Sequence, residues 1–254
     1  MKSSPFIRQH RQLNEIRPLS FHLEPNSHAE GYCMVKLGNT HVICTASLEA
    51  KVPAFLKGSG KGWISAEYGM LPRSTHSRMD RKRTHDSGRS QEISRLIGRS
   101  LRAITHLPLM GERQILIDCD VIRADGGTRT AAITGAFVAL VQAAEHMLRL
   151  GMITQPIFSD FLAAISCGKV QGQLCCDLDY AEDSNADLDA NFVMSGQGNL
   201  IEVQASAEGA IFNQDELQQM MGMANHAIHN MVKAQQQILQ ACPLDKLIAP
   251  CQHP

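Results

Sequence analysis

The chain has 254 residues, of which 44% are hydrophobic and 5% aromatic, and its formal net charge at pH 7 is −1. This length allows one large domain or two small ones, with enough apolar residues for a substantial core. No stretch approaches the roughly 20 unbroken apolar residues of a membrane helix, and no apolar run typical of a secretory signal follows the polar N-terminus. We therefore expect a cytoplasmic protein without a membrane span.

The eight cysteines have the distribution expected of buried thiols. Cys33, Cys44, Cys119 and Cys167 each lie within an apolar run, and the sequence contains no C-x-x-C pair. The spacing therefore supports neither a zinc site nor a redox motif. It predicts a reduced protein with buried thiols.

Charge is distributed unevenly along the chain. Between residues 73 and 102, nine Lys or Arg residues are opposed by three acids, which leaves +6 over 30 residues. Between Lys169 and Lys233 there is no Lys or Arg, whereas ten Asp or Glu residues occur. Either stretch alone is compatible with a solvated face. Together they favour a polyanion bound by one region and a cation bound by the other, which is typical of metal-assisted chemistry on a nucleic acid.

The first predicted elements are a strand, a turn and a loop. Residues 40–47 are rich in β-branched side chains and predict a strand. The glycine-rich residues 58–62 (GSGKG) lack the G-x-x-x-x-G-K-[ST] spacing of a nucleotide-binding P-loop, so they predict a flexible turn. Residues 74–86 contain almost no apolar side chains and predict an exposed, mobile basic loop.

A helix is predicted to begin at Ser90. Its apolar residues recur at helical spacing and form one buried stripe: Ile93, Leu96, Ile97, Leu101 and Ile104. Arg95, Arg99 and Arg102 recur at intervals of four and three, which places them together on another face. This basic stripe is compatible either with RNA binding or with acids across a subunit contact.

The remaining elements continue the alternation of strands and helices. An apolar strand, interrupted by Asp118 and Asp120, runs directly into residues 124–131 (ADGGTRTA). The further predicted strands are at 114–122, 163–170, 174–179, 190–194 and 200–205. One further helix is predicted from the ADGGTRTA segment to about residue 150, and another over 214–240. The last two strands form a hairpin through the Gly196-Gln-Gly198 turn. No internal repeat or proline-rich linker divides the chain, so we predict one α+β domain.

The strand–DGGTRT–helix junction predicts an anion site. Gly126 and Gly127 allow a tight turn and a close approach of the backbone to a ligand. The following helix begins with unsatisfied N–H groups and a partial positive charge. Thr128 adds a hydroxyl donor, and Arg129 adds a fork that binds two phosphate oxygens. A glycine turn with a threonine cap is the simpler alternative, and Arg89 of the SGR triplet is a second arginine for the same pocket.

Residues 178–192 are the acidic counterpart of this junction. Mg²⁺ prefers carboxylate oxygens and retains several waters, so one or two acids suffice to bind it. Asp183 lies in the turn before the predicted strand, and Asp189 lies near the start of that strand. The pair is compatible with a cation site and also with a solvated acidic loop.

The chain resembles the ribonuclease PH family, the bacterial phosphorolytic exoribonucleases, from about residue 17 to residue 240. The motifs that carry this resemblance are 42–47 (VICTAS), 55–58 (FLKG), 67–73 (EYGMLPR), 87–89 (SGR), 95–102 (RLIGRSLR), 124–130 (ADGGTRT), 182–184 (EDS) and 201–204 (IEVQ). Departures are small: Ala190 replaces the usual methionine between Asp189 and Asn191, Ala205 replaces a glycine, and the basic loop is shorter.

The resemblance implies a specific set of site residues. Inorganic phosphate, the co-substrate, would be bound by Arg89, Gly127, Thr128 and Arg129. Catalysis would depend on Arg129 together with Asp183 and Asp189, and the two aspartates would also bind Mg²⁺ or Mn²⁺. The arginines after the LPR motif would bind the acceptor end of tRNA: Arg73, Arg78 and Arg81, with Lys82 and Arg83 as helpers.

The resemblance also implies a fold and an assembly. The fold would be the α+β type of the family, similar to the second domain of ribosomal protein S5, with two βαβα-like units whose mixed sheets pack against helices. Residues 1–254 would form a single domain with its core at about 15–240 and short polar tails. The implied assembly is a homohexamer, a trimer of dimers.

The implied activity is removal of nucleotides from the 3′ end of tRNA precursors, and of rRNA, with release of nucleoside 5′-diphosphates. Two alternatives remain at the level of sequence. One is a catalytically inactive RNA-binding ring subunit of an RNA-degrading assembly. The other is a metal-dependent hydrolytic nuclease, which would release nucleoside monophosphates without added phosphate.

Overall fold

The computed structural model describes residues 8, 11–23, 28–81, 87–207 and 211–250. The first sheet has the strand order β1-β2-β3-β5-β4, where β1 is Leu19–His22, β2 Gly31–Leu37, β3 Thr40–Glu49, β4 Trp63–Met70 and β5 Gln114–Arg123. The second sheet has the order β7-β6-β8-β9, where β6 is Leu162–Val170, β7 Gln173–Cys176, β8 Ala186–Ser195 and β9 Leu200–Ala207. The helices are α1 (Gly88–Ala103), α2 (Thr128–Arg149), α3 (Tyr180–Asp183), α4 (Gln214–Ile238) and α5 (Leu244–Leu247).

The two sheets differ in strand direction. In the first sheet β4 and β5 are parallel and the other neighbours are antiparallel, so α1 is the crossover helix that two parallel neighbours require. The named strands of the second sheet pair only in the antiparallel sense. This arrangement of mixed and antiparallel sheets packed against helices confirms the predicted α+β class.

Helix α2 lies at the centre of the fold, in contact with β2, β3 and β5 on one side and with β6 on the other. It is long and apolar enough to cross a membrane, but 78% of its most apolar stretch is buried inside the protein. Such burial is that of a core helix. Phe137 of α2 contacts Phe158 and Phe161 edge-on, with ring centroids 5.8 and 5.7 Å apart, and one continuous core joins both sheets.

The strands and helices that were predicted are present with small differences in their ends. The strand predicted at 174–179 ends at Cys176, because Asp177 takes a left-handed conformation with φ of 57°. Helix α1 begins at Gly88, because the Ser87 side chain accepts a hydrogen bond from Ser90 N and caps the helix. The hairpin of β8 and β9 is confirmed, whereas β1, β2 and β4 were not predicted.

Two further predictions concern the thiols and the basic loop. Cys33, Cys44, Cys119 and Cys167 are free and buried, as predicted. In the basic loop Arg78 and Arg81 are exposed, but Ser74 is buried, so the start of the loop packs on the fold. Residues 82–86 of this loop lie outside the described residues.

Two helix-interior glycines differ in their surroundings and provide a test of the core packing. A Cβ on Gly135 of α2 would lie 2.6 Å from Val35 Cγ1 and 2.9 Å from Cys44 Sγ, whereas a Cβ on Gly222 of α4 would meet nothing within 4 Å. We expect Gly135→Ala to lower the free energy of unfolding by about 1–2 kcal/mol through overpacking. Gly222→Ala should raise it by about 0.5–1 kcal/mol through helix propensity. Urea unfolding measures both changes, provided that the free energy of unfolding depends on urea concentration with the same slope in each variant. Equal changes in the free energy of unfolding for the two variants would contradict this packing.

Candidate active site

A cleft of about 470 Å³ lies where the loop after β5 meets the start of α1 and the end of α3. Five of the residues singled out in the sequence line it: Arg89, Gly126, Gly127, Thr128 and Asp183. Arg129 and Asp189 lie close enough that their charges interact with Asp183. The fold therefore brings the predicted anion site and the predicted cation site together.

The glycine loop at this cleft has a conformation that side chains would not permit. Gly126 and Gly127 have φ values of 72° and 62°, in the left-handed region that favours glycine. A Cβ on Gly126 would lie 2.4 Å from Leu178 O. The loop therefore touches the chain just before α3, and α2 begins at the next residue, Thr128, with its free N–H groups at the cleft.

Thr128 is prepared as a donor by a tyrosine beneath it. The Tyr68 hydroxyl donates to Thr128 Oγ1 at 2.8 Å. Burial raises the pKa of Tyr68, and this outweighs the opposite effects of the Thr128 hydrogen bond and of Arg89 and Arg129. Tyr68 therefore stays protonated near neutral pH, and Thr128 keeps its own hydroxyl hydrogen for a ligand.

Arg129 is held at the edge of the cleft by two side chains. Its Nη1 donates to Gln204 Oε1 at 2.7 Å, and Gln204 Nε2 donates to Glu92 Oε1 at 3.0 Å. Arg129 Nη1 also lies 3.7 Å from Glu92 Oε1. The guanidinium is thus positioned by β9 and α1 together, and further donors of its fork remain for an anion.

Arg17 ties the glycine loop to the segment before α3. Its Nε donates to Asp177 Oδ2 at 2.9 Å and its Nη2 donates to Asp177 Oδ1 at 2.7 Å. The same guanidinium donates to the carbonyl oxygens of Asp125 and Leu178. Both charged side chains are buried. Burial disfavours the charged guanidinium, but Asp177 outweighs this effect and raises the pKa of Arg17, so the guanidinium stays charged.

Several acids of the lysine-free stretch are already paired within the fold. Arg8 makes a bidentate ion pair with Glu182, at 2.6 and 2.7 Å, and Arg11 contacts both Asp177 and Glu182. Burial opposes ionisation of Glu182, but the hydrogen bond from Arg8 and further contacts leave its pKa lowered. Glu202 pairs with Arg99, and Glu216 with Lys169. These acids therefore stabilise the fold and are not available to a cation.

Asp183 and Asp189 differ from those acids. No ion pair among the described residues includes either carboxylate. The Asp183 side chain reaches solvent, but the walls of the cleft replace part of its water and raise its pKa, against the opposing charges of Arg89 and Arg129. Burial likewise raises the pKa of Asp189, and the negative charge of Asp183 raises it further.

This pair of carboxylates fits a hard divalent cation. Each opposes the ionisation of the other, and a cation between them would relieve that repulsion. Mg²⁺ needs only one or two protein carboxylates and takes its other oxygens from water and substrate. The described residues contain no cluster of three or more His, Cys, Asp or Glu side chains able to hold a metal ion. Asp183 and Asp189 are therefore the residues that could hold such a cation, with waters as its other ligands.

The predicted RNA-binding arginines lie on the loop that follows β4. Arg73, Arg78 and Arg81 are exposed, and Arg73 Nη1 donates to His76 O at 3.1 Å. Lys82 and Arg83 fall outside the described residues. The loop is adjacent to the cleft, because His76 lines it.

Two of the three arginines of the basic stripe on α1 make contacts within the chain. Arg99 pairs with Glu202 of β9. Arg102 stacks on Trp63, with its Cζ 4.2 Å from the ring centroid, and donates to Ile64 O at 2.6 Å. These contacts join α1 to both sheets. They do not decide between RNA and a second subunit as the partner of the stripe.

Sequence reasoning missed three residues that organise the site: Arg17, Tyr68 and Gln204. Tyr68 and Gln204 lie inside motifs that were noted, EYGMLPR and IEVQ, but their partners are distant in sequence. Arg17 is 160 residues from Asp177. No local pattern identifies such a pair, and only the proximity of the two sheets brings it together.

Comparison with known proteins gives the family. The chain matches domain 1 of the 3′ exoribonuclease family over residues 15–144 and domain 2 over residues 160–227. It is 56% identical to ribonuclease PH of Methylocella silvestris over 227 residues, which cover 89% of this chain and 96% of that protein. It is 53% identical to ribonuclease PH of Mesorhizobium japonicum over 229 residues, which cover 89% of this chain and 96% of that protein.

Solved structures show the same fold at low sequence identity. Rice Rrp46 superimposes with a TM-score of 0.74 and 18% identity, over 91% of this chain and 99% of that chain. A chain of the Archaeoglobus fulgidus exosome, solved with RNA bound to its active site, gives a TM-score of 0.75 and 17% identity, over 88% of this chain and 90% of that chain. At such identities the likeness concerns the fold, which agrees with the predicted class.

The raised pKa of Asp189 leads to a prediction about stability in the absence of metal. The buried charge destabilises the folded state at any pH above the raised pKa, and this penalty disappears as pH falls below about 3.9, the value in an unfolded chain. We expect Asp189→Asn to be more stable than the wild type at pH 8 in EDTA. The difference should shrink as the pH is lowered towards 4. Thermal unfolding between pH 4 and 8 measures it, and a less stable variant at pH 8 would contradict this electrostatic account.

Proposed function

Because this chain belongs to the 3′ exoribonuclease family and is a phosphorolytic 3′→5′ exoribonuclease, we propose that it trims the 3′ ends of tRNA precursors, and of rRNA, at the cleft described above. The observation that carries the proposal is the meeting of Arg89, Thr128 and Asp183 in one cavity. Arg89 and the N–H groups at the start of α2 supply donors to this cavity, and Asp183 supplies a carboxylate.

Phosphate would bind at the start of α2. The N–H groups of the first helical turn and the Thr128 hydroxyl supply neutral donors, and the helix dipole favours an anion there. Arg89 and Arg129 supply positive charge from two sides. This arrangement offsets the repulsion between orthophosphate and the RNA backbone, which is the main obstacle when two anions react.

In the reaction an oxygen of hydrogen phosphate attacks the phosphorus of the terminal nucleotide, and the bond from that phosphorus to the 3′ oxygen of the preceding nucleotide breaks. The proton of the attacking phosphate balances the step by passing to the leaving 3′ oxygen. The products are a nucleoside 5′-diphosphate and RNA with a new 3′ hydroxyl. The chain needs no nucleophilic side chain, because catalysis rests on positioning and on charge.

Asp183 and Asp189 would hold Mg²⁺, or Mn²⁺, on the opposite side of the cleft. A bound divalent cation supplies charge neutralisation at the phosphoryl oxygens. Arg89 and Arg129 would hold the phosphate, whereas the two carboxylates would hold the cation. Asn191 donates to Asp189 Oδ2 at 3.4 Å and so helps to orient this carboxylate.

RNA would be gripped by the basic loop, through Arg73, Arg78 and Arg81, with Lys82 and Arg83 as helpers. The same proposal includes a homohexamer, a trimer of dimers, in the cytoplasm. The resemblance of the chain to the ribonuclease PH family supports the assembly and the compartment. The exposure of the three described arginines supports the role of the loop in RNA binding.

The direct test is to incubate a tRNA precursor with and without orthophosphate and to identify the mononucleotides released. We expect nucleoside diphosphates, and only when orthophosphate is added. Monophosphates released without orthophosphate would indicate a hydrolytic nuclease, and the absence of any product would indicate an inactive RNA-binding subunit. The relatives named ribonuclease PH do not favour either alternative.

The two phosphate arginines give a sharper prediction. Arg89→Ala and Arg129→Ala should each lower phosphorolysis by about 10²- to 10³-fold, the loss typical of one electrostatic donor in an active site. Affinity for RNA should change little. Arg149→Ala is the control, because Arg149 is an exposed arginine at the far end of α2. Unchanged turnover of both variants at saturating phosphate would refute the assignment.

The loop arginines should affect RNA binding and leave phosphate binding intact. Neutralising Arg73, Arg78 and Arg81 together removes up to three phosphate contacts. The negative slope of log K against log salt should therefore become less steep by about 2 to 3. The Michaelis constant for orthophosphate should not move. A filter-binding titration across a salt series measures the slope. If it stays the same, the loop does not bind RNA.

A further inference from the structure

A second cavity, of about 460 Å³, lies beside the phosphate cleft. It forms where the turn at residues 73–76 docks on the end of β5. Ala124 N donates to Ser74 O at 2.8 Å, so backbone hydrogen bonding continues past the strand. Arg73 and Arg123, one on each side of this junction, consequently line the same cavity.

The cavity is rich in hydrogen-bond donors. The guanidinium groups of Arg73 and Arg123 and the amide of Asn39 line it. Ser74 lines it too and is 4% exposed, yet its Oγ has no hydrogen-bond partner in the part of the chain that the structure describes. A buried hydroxyl left unpaired costs about 1–3 kcal/mol. This oxygen is covered by protein, so a ligand with acceptor oxygens would remove that cost once the Ser74 side chain turns towards it.

The surroundings of the cavity are electropositive. Arg123 lies opposite His41 across β3 and β5, and His41 lies opposite Lys36 across β2 and β3. Burial lowers the pKa of His41, and the positive charges of Lys36 and Arg123 lower it further. Asp125 is the sole acid among the described lining residues, and its Oδ1 accepts a hydrogen bond from Tyr180 N at 3.3 Å.

The two cavities are adjacent. Thr75, His76 and Ala124 line both of them. An RNA strand whose last linkage lies beside Arg89 in the first cavity would therefore pass over this shared wall into the second. Asp183 lines the first cavity but not the second.

We propose that the cavity lined by Arg73, Ser74 and Arg123 binds a phosphodiester of the RNA strand upstream of the linkage that is cut. The inference rests on the proposed function. A phosphodiester has two non-bridging oxygens that share one negative charge, and they match a guanidinium fork and a hydroxyl donor. Contacts of this kind set the position of a nucleic acid without reading its sequence. Arg123 and Ser74 are thereby assigned to substrate binding.

The test compares Arg123→Gln with Arg149→Gln, since both substitutions remove the charge of an exposed arginine. Binding of a single-stranded RNA is measured across a salt series, and the Michaelis constant for orthophosphate is measured in parallel. Arg123→Gln should weaken RNA binding about tenfold, as expected for loss of one charge-assisted hydrogen bond. The negative slope of log K against log salt should also become less steep by about 0.7, the value for one phosphate contact on a single strand. Arg123→Lys should restore the slope, and Arg149→Gln should match the wild type.

Several outcomes would overturn the inference. Equal RNA affinity and salt slope in Arg123→Gln and the wild type would show that no phosphodiester binds there. A raised Michaelis constant for orthophosphate with unchanged RNA affinity would mean that the cavity binds free phosphate. Failure of the proposed function is distinguishable from either result, because it requires that the wild type itself release no nucleoside diphosphates.

Discussion

The buried ion pair between Arg17 and Asp177 is the contact on which the site depends. It lies between a turn that follows β5 of the first sheet and a turn that follows β7 of the second, and both of its side chains are buried. Arg17 also donates to carbonyl oxygens on each turn. Removing one partner of such a pair costs about 3–5 kcal/mol, because the other charge is left buried and unpaired. The pair thereby fixes the glycine loop relative to Asp183, which no contact within either sheet would do.

This constraint explains how opposite charges share one small cleft. Acids near the cleft that would otherwise neutralise the phosphate arginines are bound elsewhere: Asp177 and Glu182 are paired with arginines from the N-terminal segment. Asp183 and Asp189 remain unpaired among the described residues and resist ionisation, as their raised pKa values indicate. The unpaired charges of the empty site thus destabilise the folded state. A bound cation would relieve the repulsion between the carboxylates, and a bound anion would relieve that between the arginines. The fold therefore determines both which acids are paired and which carboxylates are left without a cationic partner.

The sequence predicted those parts of the fold and site that depend on local pattern. The helical stripe of α1, the apolar strand β5 and the glycine loop before α2 were all visible, and so were Arg89, Thr128 and Asp183. Three strands were missed: β1 is only four residues long, and no strand was assigned to β2 or β4. The roles of Arg17 and Gln204 depend on elements far apart in the chain. The charge pattern after Lys169 does not show which acids are paired within the fold, and only their partners in the structure do so.

The most direct test of the account is an X-ray structure of crystals soaked in tungstate, an anion that mimics phosphate and scatters anomalously. The account predicts an anomalous peak within hydrogen-bond distance of the Arg89 guanidinium and of the N–H groups at the start of α2, facing Asp183. A crystal that takes up tungstate at other positions while this cleft stays empty would contradict it.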